Sequence, residues 1–151
     1  KQVVNRLNEH FPDLIWMKDL DKRYLFANKS MCSELLCAVD TAEPVGKTDL
    51  FFALRERAAH PEDPEWHTFG ELCQDSDDVT LKNDRPSVFE EYGNIKGRYV
   101  CFDVHKAPFR DASGEVVGIV GSARDVTERQ RLQRALIERE SEQRAMLDLY
   151  F

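Results

Sequence analysis

The chain has 151 residues and a formal net charge of −7, with 42% hydrophobic and 32% charged residues. This length and composition are typical of one globular domain with short extensions, large enough to bury a core. The acidic balance argues against binding to nucleic acids or to anionic membrane surfaces, since both require clustered lysine and arginine.

The chain contains no run of about 20 apolar residues, so no membrane span is predicted and we expect this segment to be cytoplasmic, in a full-length protein that is either free or attached to a membrane. The chain begins with Lys1, so we also expect it to be a fragment of a longer protein. Four cysteines lie among apolar residues without the spacing of a metal or redox motif, at positions 32, 37, 73 and 101. They predict reduced core thiols.

The first part of the chain predicts two helices around a β-hairpin. In chain order, the predicted elements are a helix at 1–10, strands at 14–18 and 23–27, and a helix at 30–39. Val3, Val4 and Leu7 have helical spacing, and Pro12 ends that helix. Asn28 is placed to cap the second helix, since its short side chain can bind free N–H groups.

The middle of the chain predicts two further helices. A short helix at 50–59 has Thr48 or Asp49 as its capping residue. A longer helix is predicted at 65–82, because Trp66, Phe69 and Cys73 form an apolar stripe. Its glycine, at position 70, suggests that another element approaches closely.

The last part predicts three strands and a long helix. The strands are expected at residues 87–92, 99–109 and 116–123. At positions 100–105, Val, Phe and Val alternate with Cys, Asp and His. This is the period of two that a strand with two different faces requires. A helix follows at once, and Thr127 with Gln130 predicts a capping box at its start. Its middle is polar, so we expect a continuous helix with weak pairing there.

These segments resemble a known family. The stretch KAPFRDASGEVVGIVGSARDVTERQRLQRAL is similar to the C-terminal half of a PAS domain, the PAC motif. Upstream, DLIWMKDLDKRYLFANKSMCSELL resembles the first two strands and the following helix of that family. The resemblance covers roughly residues 7–136 and implies an α+β fold, with a five-stranded antiparallel sheet and helices on one face.

The resemblance also implies a domain organisation and a role. An N-terminal flanking helix (1–12) would precede the PAS domain (13–126), and a signalling helix (127–151) would lead to a missing next domain. The module would belong to a sensor histidine kinase or a diguanylate cyclase and would form a homodimer through its flanking helices. Asp125 and Thr127 match the D-x-T motif of the family, in which the aspartate ties the last strand to that helix, and we expect these two residues to relay the signal.

A small-molecule pocket between the sheet and the middle helices is the main binding hypothesis. Its candidate residues are Trp66, His67, Phe69, Cys73, Phe102, Val104 and His105. Period two allows either Phe102 and Val104 or Asp103 and His105 to face inward, and burial favours the apolar pair. The alternative is that these side chains are ordinary core packing in a ligand-free dimerisation or interaction module.

Catalytic and cofactor sites find little support in the sequence. No cysteine or serine lies in a nucleophile motif, and Gly46-Lys47-Thr48 lacks the upstream glycine of a phosphate loop. The acidic pairs 77–78 and 90–91 are interpreted as solvated charge. No metal-ligand spacing occurs. By resemblance, Cys73 rather than a histidine falls where a haem ligand would lie, and the flavin-photosensor cysteine motif is absent. Haem and flavin are therefore disfavoured.

Overall fold

Five antiparallel strands form one sheet in a computed structural model that describes residues 12–150. The strands are β1 Leu14–Asp19, β2 Tyr24–Ala27, β3 Ser87–Ile95, β4 Arg98–Arg110 and β5 Val116–Asp125. Their order across the sheet is β2-β1-β5-β4-β3. The helix predicted at 1–10 lies outside the described residues. The predicted fold class is confirmed.

Helical segments complete the fold. They are α1 Lys29–Met31, which continues as a π-helical turn at Cys32–Leu36, then α2 Asp49–Ala59, α3 Gly70–Asn83 and α4 Thr127–Tyr150. Asn28 caps α1 by accepting from the Met31 N–H at 2.9 Å, and Thr48 caps α2 by accepting from Phe51. Both caps are as predicted. The second predicted helix ends early, because Cys37 adopts a left-handed conformation with φ 58°.

The core lies between the inner face of the sheet and the helices α1 to α3. Every second residue of each central strand points toward it, as the pleat requires. The inward residues of the central strands include Leu14, Trp16, Val100, Phe102, Val104, Ile119 and Ala123. The inward face of β4 is therefore the apolar face favoured from the sequence.

The start of α3 was predicted wrongly. It begins at Gly70 rather than at Glu65, because the preceding residues pair with β3 instead of coiling. The Thr68 N–H donates to the Asn94 carbonyl at 3.0 Å, and the Thr68 hydroxyl accepts from the Asn94 N–H at 2.8 Å. These bonds span 26 residues of chain, so helical spacing of apolar residues did not reveal them.

Gly70 marks a close crossing of α2 and α3, as its position in the sequence suggested. A Cβ atom at this residue would lie 2.7 Å from the Cβ of Ala53. That separation is shorter than two carbon atoms tolerate without moving the backbone. The glycine therefore fixes how near α3 sits to α2 above the sheet.

Candidate functional site

The space between the sheet and the helices is almost completely filled. Its open volume is about 10 Å³, which leaves room for at most about one water molecule. Four of the predicted pocket residues line it: Phe69, Cys73, Phe102 and Val104. Phe69 and Phe102 pack edge to face, with ring centroids 5.7 Å apart. Their contact closes much of the space that a ligand would need.

The other three predicted pocket residues do not line this space. Trp66 is half-buried and stacks on His60 at 3.7 Å between ring centroids, because it lies before α3 rather than on it. His67 is buried beside β3, where it pairs with Ile95, and burial lowers the pKa of its imidazole. His105 is exposed on the outer face of β4. The structure therefore does not bring these three residues together around the space between the sheet and the helices.

A cluster of buried charges occupies the centre of the fold instead. Lys18 is 1% exposed and points inward from β1. Its ammonium donates to a carboxylate oxygen of Asp49 at the start of α2, and to Asp77 of α3 at 2.7 Å. Burial alone would lower the pKa of Lys18, but these two carboxylates outweigh it and raise the pKa above its ordinary value. Lys18 is therefore held charged in the core.

Lys106 enters the same cluster from β4. Its ammonium uses three hydrogen bonds, to the Cys73 carbonyl at 3.0 Å, the Ser76 hydroxyl at 2.6 Å and Asp77 Oδ1 at 2.8 Å. Asp77 thus accepts from two lysines, one on each carboxylate oxygen. It is fully buried and joins β1, β4 and α3 through charge-assisted bonds.

Two further side chains complete the cluster. The Tyr24 hydroxyl of β2 donates to Asp49, and burial together with that carboxylate raises the tyrosine pKa well above its usual range. Glu91 of β3 is 4% exposed and accepts from the Ser76 hydroxyl at 2.7 Å. Its carboxylate lies 3.9 Å from the Lys106 ammonium. Four strands and two helices therefore meet at one buried set of polar groups.

The sequence interpretation missed this cluster, although part of it was visible. Lys18 continues the inward alternation of Leu14 and Trp16, and Lys106 continues that of Phe102 and Val104. A lysine at a core position of a strand predicts a buried partner, because an unpaired buried charge is costly. Asp77 and Glu91 were assigned to solvated acidic pairs, and for these two residues that interpretation was wrong.

The junction between β5 and α4 forms a second polar site. The Asp125 carboxylate accepts from the Thr127 N–H at 2.9 Å and from its hydroxyl at 2.6 Å. The Thr127 hydroxyl in turn accepts from the Cys101 N–H of β4 at 2.9 Å, and the Val126 N–H donates to the Cys101 carbonyl. Asp125, rather than Thr127, therefore caps the helix.

Gln130, the predicted second member of a capping box, has a different role. Its side chain accepts from the Tyr99 hydroxyl at 3.0 Å and donates to Glu90 at 3.2 Å. These contacts lie on the outer face of β3 and β4, one turn beyond the junction. The capping-box prediction was wrong, because strands brought close by the fold compete for the amide.

Beyond these contacts, every residue of α4 from Arg131 to Tyr150 is exposed. It is continuous to Tyr150, as predicted, and none of its residues is buried. Its exposed apolar side chains are Leu132, Leu136, Ile137, Met146, Leu147, Leu149 and Tyr150. Between residues 12 and 150, no helix has both the length and the apolar character needed to cross a membrane. Among the same residues, no three histidine, cysteine, aspartate or glutamate side chains are grouped so that they could bind a metal ion.

Comparisons with known proteins agree with this geometry. Residues 8–131 match the family model described as the PAS fold. The aerobic respiration control sensor protein ArcB of Escherichia coli is 29% identical over 126 residues, which are 83% of this chain and 14% of ArcB. The methanogenesis regulatory histidine kinase FilI of Methanothrix harundinacea is 29% identical over 117 residues, which are 77% of this chain and 12% of FilI.

A solved structure shows the same fold. The PAS domain of Bordetella pertussis BvgS superposes with a TM-score of 0.58 at 24% identity, over 91% of this chain and 92% of that domain. This chain spans only about one seventh of the length of ArcB. The comparisons therefore concern one domain of much longer proteins.

Proposed function

This chain belongs to the PAS fold family, and on that premise we propose that it is the sensory module of a larger signal-transduction protein. Its effector would be a further domain of the same chain. A histidine kinase is supported by the relative FilI, whose name states that activity. A diguanylate cyclase is the other effector that the resemblance to PAS proteins allows. Catalysis would reside in the effector, and the module would set its activity.

The observation that carries this proposal is the direct connection of β5 to α4. A single residue, Val126, separates the strand from the helix, and hydrogen bonds through Asp125 and Thr127 hold both to β4. A shift of β4 or β5 would therefore move the start of an exposed helix 24 residues long. We propose that this junction relays the signal out of the domain.

We further propose that the input acts on the buried charge cluster rather than by filling a preformed pocket. A volume of about 10 Å³ holds no molecule larger than water. This filled interior supports the ligand-free version of the module. A small ligand is a second candidate, because aromatic and charged side chains line the same space, as in many ligand sites. That ligand would have to separate Phe69 from Phe102.

Native mass spectrometry of the purified chain, compared with its mass under denaturing conditions, distinguishes the ligand-free module from the small-ligand sensor. For the filled interior we expect the native mass to equal that of the protein alone, in whatever oligomeric state it adopts. An added small mass, lost on denaturation, would contradict the filled interior and favour a ligand sensor. An absorbance scan of the same sample would detect haem or flavin as a visible band.

We also propose that the module is a homodimer held by its flanking helices. The exposed apolar residues of α4 lie in two groups separated by a polar middle, which suits pairing near the ends. Deleting residues 132–151 should raise the dimer dissociation constant at least tenfold, measured by analytical ultracentrifugation. A control that replaces the polar residues Glu140 and Glu142 by Gln should dimerise like the parent. An unchanged constant in the deletion would contradict pairing through α4.

A further inference from the structure

The buried cluster contains one more acid than its two lysines can balance. Lys18 and Lys106 supply two positive charges, and Asp49, Asp77 and Glu91 would supply three negative ones. All five residues are less than 5% exposed. A net charge in such a site is costly, because solvent does not stabilise it. The cluster is neutral when one carboxyl group holds a proton.

The hydrogen bonds identify which carboxyl that is. Asp77 accepts from both lysines, and Asp49 accepts from Lys18 and from Tyr24. Among the described residues, Glu91 accepts one hydrogen bond, from the Ser76 hydroxyl. The three hydrogen bonds of Lys106 go to other groups. Glu91 is therefore the carboxyl whose ionised form is least stabilised.

We propose that Glu91 is a buried proton-binding site, and that its ionisation loosens the packing of α3 against β3. In the protonated state its O–H donates to Ser76 Oγ, and the Ser76 hydroxyl donates to the carbonyl of Leu72 or Cys73, which lie 3.3 and 3.2 Å away. On ionisation the proton leaves to water, and the Ser76 hydroxyl turns to donate to the carboxylate. The helix carbonyl then loses that donor.

The groups around Glu91 set the balance between these states. Burial raises the pKa of Glu91, and Lys106 and Ser76 oppose that rise without cancelling it. Asp77 acts in the same direction as burial, and the more distant Lys18 acts against it. Cys73, the other titratable group on this face of α3, has its own pKa raised by burial and so contributes no charge near neutral pH.

The position of Glu91 in β3 links its protonation to helix α4. Its neighbour Glu90 points to the opposite face of β3, as successive residues of a strand do, and there it accepts from Gln130 of α4. A displacement of β3 caused by charging Glu91 would therefore reach the first turns of α4. This last step rests on the proposed function, whereas the proton site itself does not.

The titration of Glu91 tests the site directly. Carbon NMR of the side-chain carboxyls, with Glu91→Gln used to assign the signal, should give a midpoint clearly above the roughly 4.3 of an ordinary glutamate. A midpoint at or below that value would overturn the proposal. The titration itself is recorded on the parent protein, and through-bond correlation to the Glu91 backbone amide assigns the carboxyl signal if the variant folds poorly.

Stability against pH gives an independent measurement. With a raised folded-state pKa, the folded state binds the extra proton, so stability is full at low pH and falls as pH rises toward that pKa. Between the unfolded-state and folded-state pKa values of Glu91, the folding equilibrium constant of the parent, divided by that of Glu91→Gln, should fall by up to tenfold per pH unit. Glu90→Gln, which removes an exposed carboxyl from the same strand, should follow the parent. Parallel profiles for the parent and Glu91→Gln would overturn the proposal.

Amide hydrogen exchange tests the proton site at Glu91 and the relay to α4 separately. If Glu91 titrates as expected, exchange rates in β3 and α3, corrected for the intrinsic pH dependence of amide exchange, should increase several-fold across its midpoint, and Glu91→Gln should abolish this corrected increase. A matching change in the first turns of α4 would support the relay as well. No change in α4, with the titration confirmed, would leave the proton site in place and contradict the relay.

Discussion

Replacing Asp77 by Asn should lower the free energy of unfolding by about 3–5 kcal/mol, the usual effect of removing one partner from a buried ion pair. The amide keeps the shape of the carboxylate but removes the charge that two buried lysines share. Lys106 would keep its bonds to the Cys73 carbonyl and the Ser76 hydroxyl, but the nearest carboxyl group left to it would be that of Glu91, at 3.9 Å. Typical domains are stable by about 5–15 kcal/mol, so a large part of the total would be lost.

Urea denaturation measures this effect, and the adjacent aspartate supplies a matched control. Asp78 forms an ion pair with Lys22 on the surface, with 61% of its side chain exposed. Asp78→Asn should change stability by no more than about 1 kcal/mol, since exposed pairs contribute little. If Asp77→Asn also cost less than about 1 kcal/mol, the cluster would have to be hydrated rather than buried.

The free-energy cost of burying these charges indicates what the cluster does in the domain. Buried ion pairs often stabilise a fold no better than apolar residues of the same size would, because desolvation offsets their attraction. A core held together by Lys18, Asp77 and Lys106 therefore contributes less to stability than its short bonds suggest. Such a cluster does make the core sensitive to charge, which is what the proposed input requires. Its position between α3 and the sheet places that sensitivity beside the strands that lead to α4.

The sequence predicts the sheet well and the site poorly, for a physical reason. Alternation along β4 and the caps at Asn28 and Thr48 depend on neighbours a few residues apart, so a single sequence shows them. The bond between Lys18 and Asp77 joins residues 59 positions apart, and only the folded chain brings them together. The same holds for the residues around Trp66, where pairing with β3 overrides an apolar stripe of helical spacing.

Replacing Asp125 by Ala should uncouple α4 from the sheet while leaving the domain folded. The carboxylate holds the Thr127 N–H and hydroxyl, and Thr127 in turn binds β4. Loss of such a cap costs about 1 kcal/mol, so exchange of the amides in the first turn of α4 should increase about fivefold. Hydrogen exchange of the isolated chain measures this, and in the full-length protein the effector should become insensitive to changes in the core such as Glu91→Gln.

Asp111 provides the control, because it makes the same kind of bonds far from the junction. Its carboxylate accepts from the Ser113 N–H at 2.9 Å and the Ser113 hydroxyl at 2.6 Å, in the turn between β4 and β5. Asp111→Ala should therefore cost similar stability yet leave exchange in α4 and effector control as in the parent. If both variants changed α4 equally, Asp125 would be an ordinary turn residue. If Asp125→Ala unfolded the domain, its role would be structural. Only a local effect at α4 fits a residue that transmits movement from strand to helix.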